Sequence, residues 1–84
     1  MNLKAYSLFK LNRISEAIEV QRQGLQIDPD YAWGYFDLAR FRCKAGAFDE
    51  ARQAIDGALE KRPGLRAHME KDGEFQRLCA PVLK

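Results

Sequence analysis

Few side chains in this sequence could do nucleophilic or metal chemistry. His68 is the single histidine, and Cys43 and Cys79 are the two cysteines. One histidine leaves no second imidazole for a His-based zinc site, and beside Arg66 and Glu70 it reads as a solvated helix residue. Neither cysteine has a histidine near it in sequence to act as base. Two cysteines are too few for a disulfide framework, and their spacing is not that of metal ligands. Both are expected as free thiols that pack as small hydrophobes, in a reducing, cytoplasmic setting. The glycines at 24, 34, 46, 57, 64 and 73 are scattered with no strand before them, so there is no phosphate loop. Asp49 and Glu50 fall at a helix start, where carboxylates favour the macrodipole. The expectation is no catalytic residue, no metal, no cofactor and no enzyme activity.

The remaining residues must therefore build a surface. The chain has 84 residues, 46% hydrophobic and 11% aromatic, enough for one globular domain and too apolar for a disordered chain. Net charge is +2, from 14 basic and 12 acidic residues. Each half contributes +1, six basic minus five acidic in residues 1–42 and eight minus seven in 43–84. With the signs interleaved there is no basic arm for nucleic acid. No apolar run approaches 18 residues and no hydrophobic segment opens the chain, so neither a membrane span nor a signal peptide is expected.

An internal repeat organises the sequence. Ala5 matches Ala39, Glu16 matches Glu50, Ala17 matches Ala51, Leu25 matches Leu59 and Pro29 matches Pro63, all 34 residues apart. Ile14 with Phe48 and Gly24 with Ala58 are similar pairs at the same offset. Apolar residues at i, i+3, i+4 spacing predict helices over Ile14–Ile27 and Phe48–Lys61, with partner helices over Asn2–Leu11 and Tyr31–Ala45. Gly46 suits the left-handed position that ends a helix, and Asn12 is the next best choice. Pro29 and Pro63 close each helix pair. Ala5, Ala17, Gly24, Ala39, Ala51 and Ala58 fall where helices must cross closely.

Gly46, Phe48, Ala51, Ala58 and Pro63, with Tyr35, Leu38 and Ala39 before them, resemble the tetratricopeptide repeat. The segment AWGYFDLARFRCKAGAFDEARQAIDGALEKRP is similar to one complete repeat, and NLKAYSLFKLNRISEAIEVQRQGLQIDP to a second. Arg42 stands where the family prefers an aromatic, Lys4 where it prefers leucine, and Asn12 replaces the turn glycine. The resemblance implies an all-α fold, a fragment of a right-handed α-α superhelix: repeat one 1–30, repeat two 31–64, and a cap 65–84. In the cap, Leu65–Lys71 and Glu74–Ala80 are expected as short helices with Asp72 as N-cap. Leu65, Met69, Phe75, Leu78 and Val82 would cover the end of repeat two, as solenoid ends require.

In this family the first helix of each pair lines a concave groove, which implies a binding face. By register it comprises Asn2, Tyr6, Phe9, Lys10, Trp33, Phe36, Asp37, Arg40, Cys43 and Lys44. Trp33, Phe36, Arg40, Cys43 and Lys44 share one stripe, apart from the core set Tyr35, Leu38, Ala39. Three coverings are open: the chain's own cap, a partner peptide, or a second copy. A carboxylate clamp is not supported, because Asn2, Tyr6 and Asp37 occupy the positions where such domains carry Lys, Asn and Asn. The expected function is a protein–protein interaction scaffold, the alternative a self-associating or array-capping element. The first repeat starts about three residues late. Leu3, Tyr6 and Phe9 are therefore expected on an exposed apolar face that could support a weak homodimer.

Overall fold

The computed structural model describes residues 3–83, with side chains from Tyr6 onward. Asn2 and the side chains of Leu3 and Ala5, invoked above, lie outside the described residues. Within them the helices are α1 (Leu3–Lys10), α2 (Ile14–Ile27), α3 (Ala32–Lys44), α4 (Phe48–Lys61), α5 (Leu65–Lys71) and α6 (Gly73–Leu78). A 3-10 turn over Ala80–Val82 follows. The chain is all-α; α2 and α4 have the bounds the periodicity predicts, and α5 those expected of the first cap helix.

The turns inside the two helix pairs share one geometry. Asn12 has φ 64° and Gly46 has φ 81°. Each reversal lets the next amides reach back into the helix. Arg13 N–H donates to Leu8 C=O at 2.8 Å and Asn12 N–H to Phe9 C=O at 3.0 Å. Ala47 N–H and Gly46 N–H do the same to Arg42 and Cys43, at 2.9 and 3.0 Å. These paired bonds satisfy carbonyls that a helix end otherwise leaves open. Turns this tight set α1 against α2 and α3 against α4 as antiparallel pairs.

Small residues set the spacing. Ala17, Ala39, Ala51 and Ala58 have no exposed surface, so the helix axes approach until larger neighbours meet over them. Gly34 is tighter still: a Cβ there would lie 2.7 Å from Leu25 Cδ2. Beside it Gln21, the buried polar side chain of α2, donates from Nε2 to Gly34 C=O at 3.1 Å.

The core has two parts. The larger gathers Leu25, Leu38, Ile55, Leu65, Met69 and Phe75 from α2 to α6. The smaller is Phe9, Ala17 and Phe41. Leu78 of α6 packs against both, and Val82 against the larger. Asp72 caps α6, its Oδ1 accepting from Phe75 N–H at 3.0 Å. The cap thus seats Leu65 and Phe75 with no exposure and Met69 with 3%.

Candidate functional site

Every residue of the α3 stripe except Lys44 meets a residue of the cap. The Trp33 ring stands edge-on to His68, centroids 4.9 Å apart, and stacks on Phe36 at 5.8 Å. Phe36, only 2% exposed, meets Phe75 edge to face at 4.8 Å. Arg40 lies over the Phe36 ring at 5.3 Å. Its Nη2 donates to Asp72 Oδ2 at 2.5 Å and its Nη1 to Glu74 Oε1 at 2.7 Å. Cys43 is joined to Cys79 by a disulfide, S–S 2.08 Å and Cα–Cα 5.2 Å. Of the three coverings that the sequence left open, the chain's own cap is the one present on this stripe.

The disulfide corrects the expectation of two free thiols. Both sulfurs are buried, Cys43 at 4% and Cys79 at 0% exposure, as small hydrophobes would be, but neither is a thiol. Laying α6 along α3 brings two Cα atoms into bonding range. A separation of 36 residues gave no hint of it.

The charges at this contact are shifted by their neighbours. Burial disfavours the charged Arg40 guanidinium, yet its hydrogen bonds to Asp72 and Glu74 outweigh this and raise its pKa. Burial alone would raise both carboxyls. Instead the Arg40 hydrogen bonds hold Asp72 and Glu74 below their ordinary values, aided by the Phe75 amide at Asp72 and by Lys10 at Glu74. Asp37 is the opposite case: burial raises it despite the opposing charge of Arg40. Arg40 Nε is buried with no hydrogen-bond partner among the described residues.

The α1 half of the face is arranged differently. Phe9 is 7% exposed, its ring 5.0 Å from that of Phe41. This overturns the expected exposure of Phe9, because Phe41 fills the space the short first repeat was expected to leave open. Tyr6 is half-buried and stacks on Phe9 at 6.0 Å. Lys10 Nζ lies 5.2 Å above the Tyr6 ring and 3.4 Å from Glu74 Oε2. A cleft of ≈ 350 Å³ opens here, with Lys10, Lys44 and Arg77 around a floor of Phe9 and Leu78. A second, of ≈ 340 Å³, lies between α3 and α5 and brings Trp33, Asp37 and Arg40 beside His68 and Lys71. Arg77, Asp72 and Glu74 were missed as parts of the face. The signal for the two acids was an unpaired Arg40 on α3 and an acid-x-acid pair in the cap.

Among the described residues no group of three or more His, Cys, Asp or Glu side chains could hold a metal. No described helix is long and apolar enough to cross a membrane. Comparison with curated proteins returned no match, and neither did comparison with solved structures. The family model described as tetratricopeptide repeat matches residues 8–80, the span running from the end of α1 through the turns at Asn12 and Gly46 to the cap. The chain belongs to the tetratricopeptide repeat family.

Proposed function

We propose that the chain is a non-enzymatic protein–protein interaction module that takes a partner segment on the concave face built by α1 and α3. The family supports interaction with proteins as the general role. One observation supports this face: the α3 stripe already receives a helical segment, α6, through edge-to-face rings and a two-point ion pair. Aromatic and arginine side chains of this kind are the usual anchors of protein interfaces.

With the cap in place, a partner meets the open cleft at Lys10, Lys44 and Arg77. Glu74 is the carboxylate at that cleft, and Lys10 and Arg40 already share it. Lys44 and Arg77 have no ion-pair partner among the described residues, so a partner bearing carboxylates fits best. The test is capture of partners from native extract, followed by amide mapping on the labelled domain. Shifts should cluster at Lys10, Lys44 and Arg77, and Lys44→Glu with Arg77→Glu should abolish capture. Shifts confined to α2 and α4 would overturn the reading.

A second reading, an element that terminates a repeat array, is supported by the complete burial of the cap residues Leu65 and Phe75 against the end of repeat two. A domain that captures nothing yet associates end to end with further repeats would favour it.

A further inference from the structure

We propose that the Cys43–Cys79 bond is a redox latch on the concave face. A dithiol reductant opens it and turns the α3 stripe into a docking surface for a partner segment with two carboxylates two residues apart followed by an aromatic. This rests on the reading of the concave face as the partner site and adds its regulation and partner chemistry.

The resident segment shows what the stripe recognises. Asp72, Glu74 and Phe75 supply the three contacts: both carboxylates on Arg40 and the ring on Phe36. A partner segment carrying acid-x-acid-aromatic would satisfy the same groups, including a guanidinium that is largely shielded from water and costly to leave unpaired.

The latch is placed to decide between resident and partner. The cap leaves α4 at Pro63-Gly64 and is fixed again at Cys79, so the segment is tied at both ends. Helix α6 has six residues, far too short to persist without its contacts. Once the bond opens, the one covalent tie at Gly64 remains, and α6, held otherwise by the Arg40 and Phe75 contacts, can exchange by local unfolding with a segment that supplies the same contacts. Reduction adds no charge, since a buried cysteine thiol packs as a small hydrophobe; the tie is all that is lost. In reducing compartments disulfides are characteristically transient and redox-sensing.

The step balances. A thiolate of the dithiol attacks one protein sulfur, the Cys43–Cys79 bond breaks, and the leaving sulfur takes the electron pair and a proton. The second thiol of the reductant then closes its own disulfide and releases the other cysteine as a thiol. Two electrons and two protons pass from dithiol to protein. Because both sulfurs are buried, the reductant reaches the bond during brief local openings of the chain around Cys79, beyond the end of α6, and cleavage then frees α6 to lift.

The probe is the acetylated peptide of residues 70–80 carrying Cys79→Ser, added to the full chain oxidised or reduced with dithiothreitol. Trp33, the single tryptophan, reports whether the cap is down, and circular dichroism reports the repeats. Reduction should keep the helicity of α1–α4 and strengthen peptide binding roughly tenfold or more, since a closed cap leaves only a small competent fraction, and Trp33 emission should shift in the reduced chain as the peptide takes the place of the cap. Glu74→Gln should raise binding further in the reduced chain and leave the oxidised chain closed. Equal binding in both redox states would overturn the latch, as would no binding in either. Loss of all helicity on reduction would also overturn it and make the bond a plain staple. Failure of the concave-face reading is separable, because it is read in the oxidised chain with Lys44→Glu and Arg77→Glu.

Discussion

Arg40 holds the cap at two points, Nη2 on Asp72 and Nη1 on Glu74, residues 32 and 34 further along the chain. Its side chain is 12% exposed, and the two carboxylates are 27% and 28% exposed. This pair is therefore desolvated enough to matter, unlike the exposed Arg13–Glu16 and Arg22–Glu19 pairs one helical turn apart. Arg40→Ala should destabilise by about 1.5–3 kcal/mol, the range for hydrogen bonds to charged groups. Arg40→Lys should recover only part, because one ammonium cannot span both acids as a planar fork does. Urea midpoints equal to wild type for both variants would show that the contact is idle.

Phe75 carries the apolar half of the same contact. It is fully buried and lies edge to face on Phe36. Phe75→Ala should cost about 3–5 kcal/mol, as for other core aromatics, and in so small a domain that approaches the whole stability. The variant should aggregate or melt early in a thermal scan. A truncation ending at Gly64 that stays soluble and fully helical would refute a structural need for the cap.

The repeats could be read from the sequence because their determinants are local. A 34-residue offset aligns Ala17 with Ala51, and both have no exposed surface. Gly46 and Asn12 take the positive φ that their turn positions require. Asp72 was legible as an N-cap by the same local logic. The cap contacts are another matter. Arg40 with Glu74 and Cys43 with Cys79 join segments more than thirty residues apart, after the register has faded, and no spacing rule encodes how α6 lies across α3. Phe9 was misplaced for a related reason: its burial depends on Phe41, a residue of the other repeat. The candidate face was legible on α3, but what covers it was not.

Ala51 tests the register. It has no exposed surface, and α3 and α4 meet over it. Ala51→Leu should destabilise by about 1–3 kcal/mol through overpacking. Ala47→Leu, at the half-buried turn residue before α4, should do much less. Equal urea midpoints would sink the assignment of Ala51 to a close crossing.

Gly34 makes the sharper test, because the repeats meet there. A Cβ would fall 2.7 Å from Leu25 Cδ2 and 3.1 Å from Gln21 Nε2, whose hydrogen bond to Gly34 C=O holds α2 on α3. Leu25 is itself packed in the core and cannot swing aside freely. Gly34→Ala should cost about 1–3 kcal/mol. Gly73→Ala, with open space around its Cβ, should be neutral or stabilise by about 0.4–1 kcal/mol. A thermal midpoint for Gly34→Ala at or above that of Gly73→Ala would contradict the tight crossing.

Acid should loosen the cap. Asp72 and Glu74 are held below their ordinary values of 3.8 and 4.5. A carboxyl lowered by folding contributes stability that is fully present above its unfolded value and is lost as pH falls through the lowered folded one. The contribution is therefore complete at neutral pH and disappears only in acid, below about pH 4.5. Arg40 and Lys10, both raised, stay charged throughout and lose their carboxylate partners once the acids are protonated. Asp37 works the other way. Its carboxyl is raised by burial, so protonation relieves a cost and stabilises slightly as pH falls. Trp33 emission followed from pH 7 to pH 2.5 should red-shift in acid before far-ultraviolet helicity falls. Asp72→Asn with Glu74→Gln should remove most of that acid limb. An emission that stays constant down to pH 2.5, or a limb that survives both substitutions, would show that the Arg40 contact does not govern the seat of the cap.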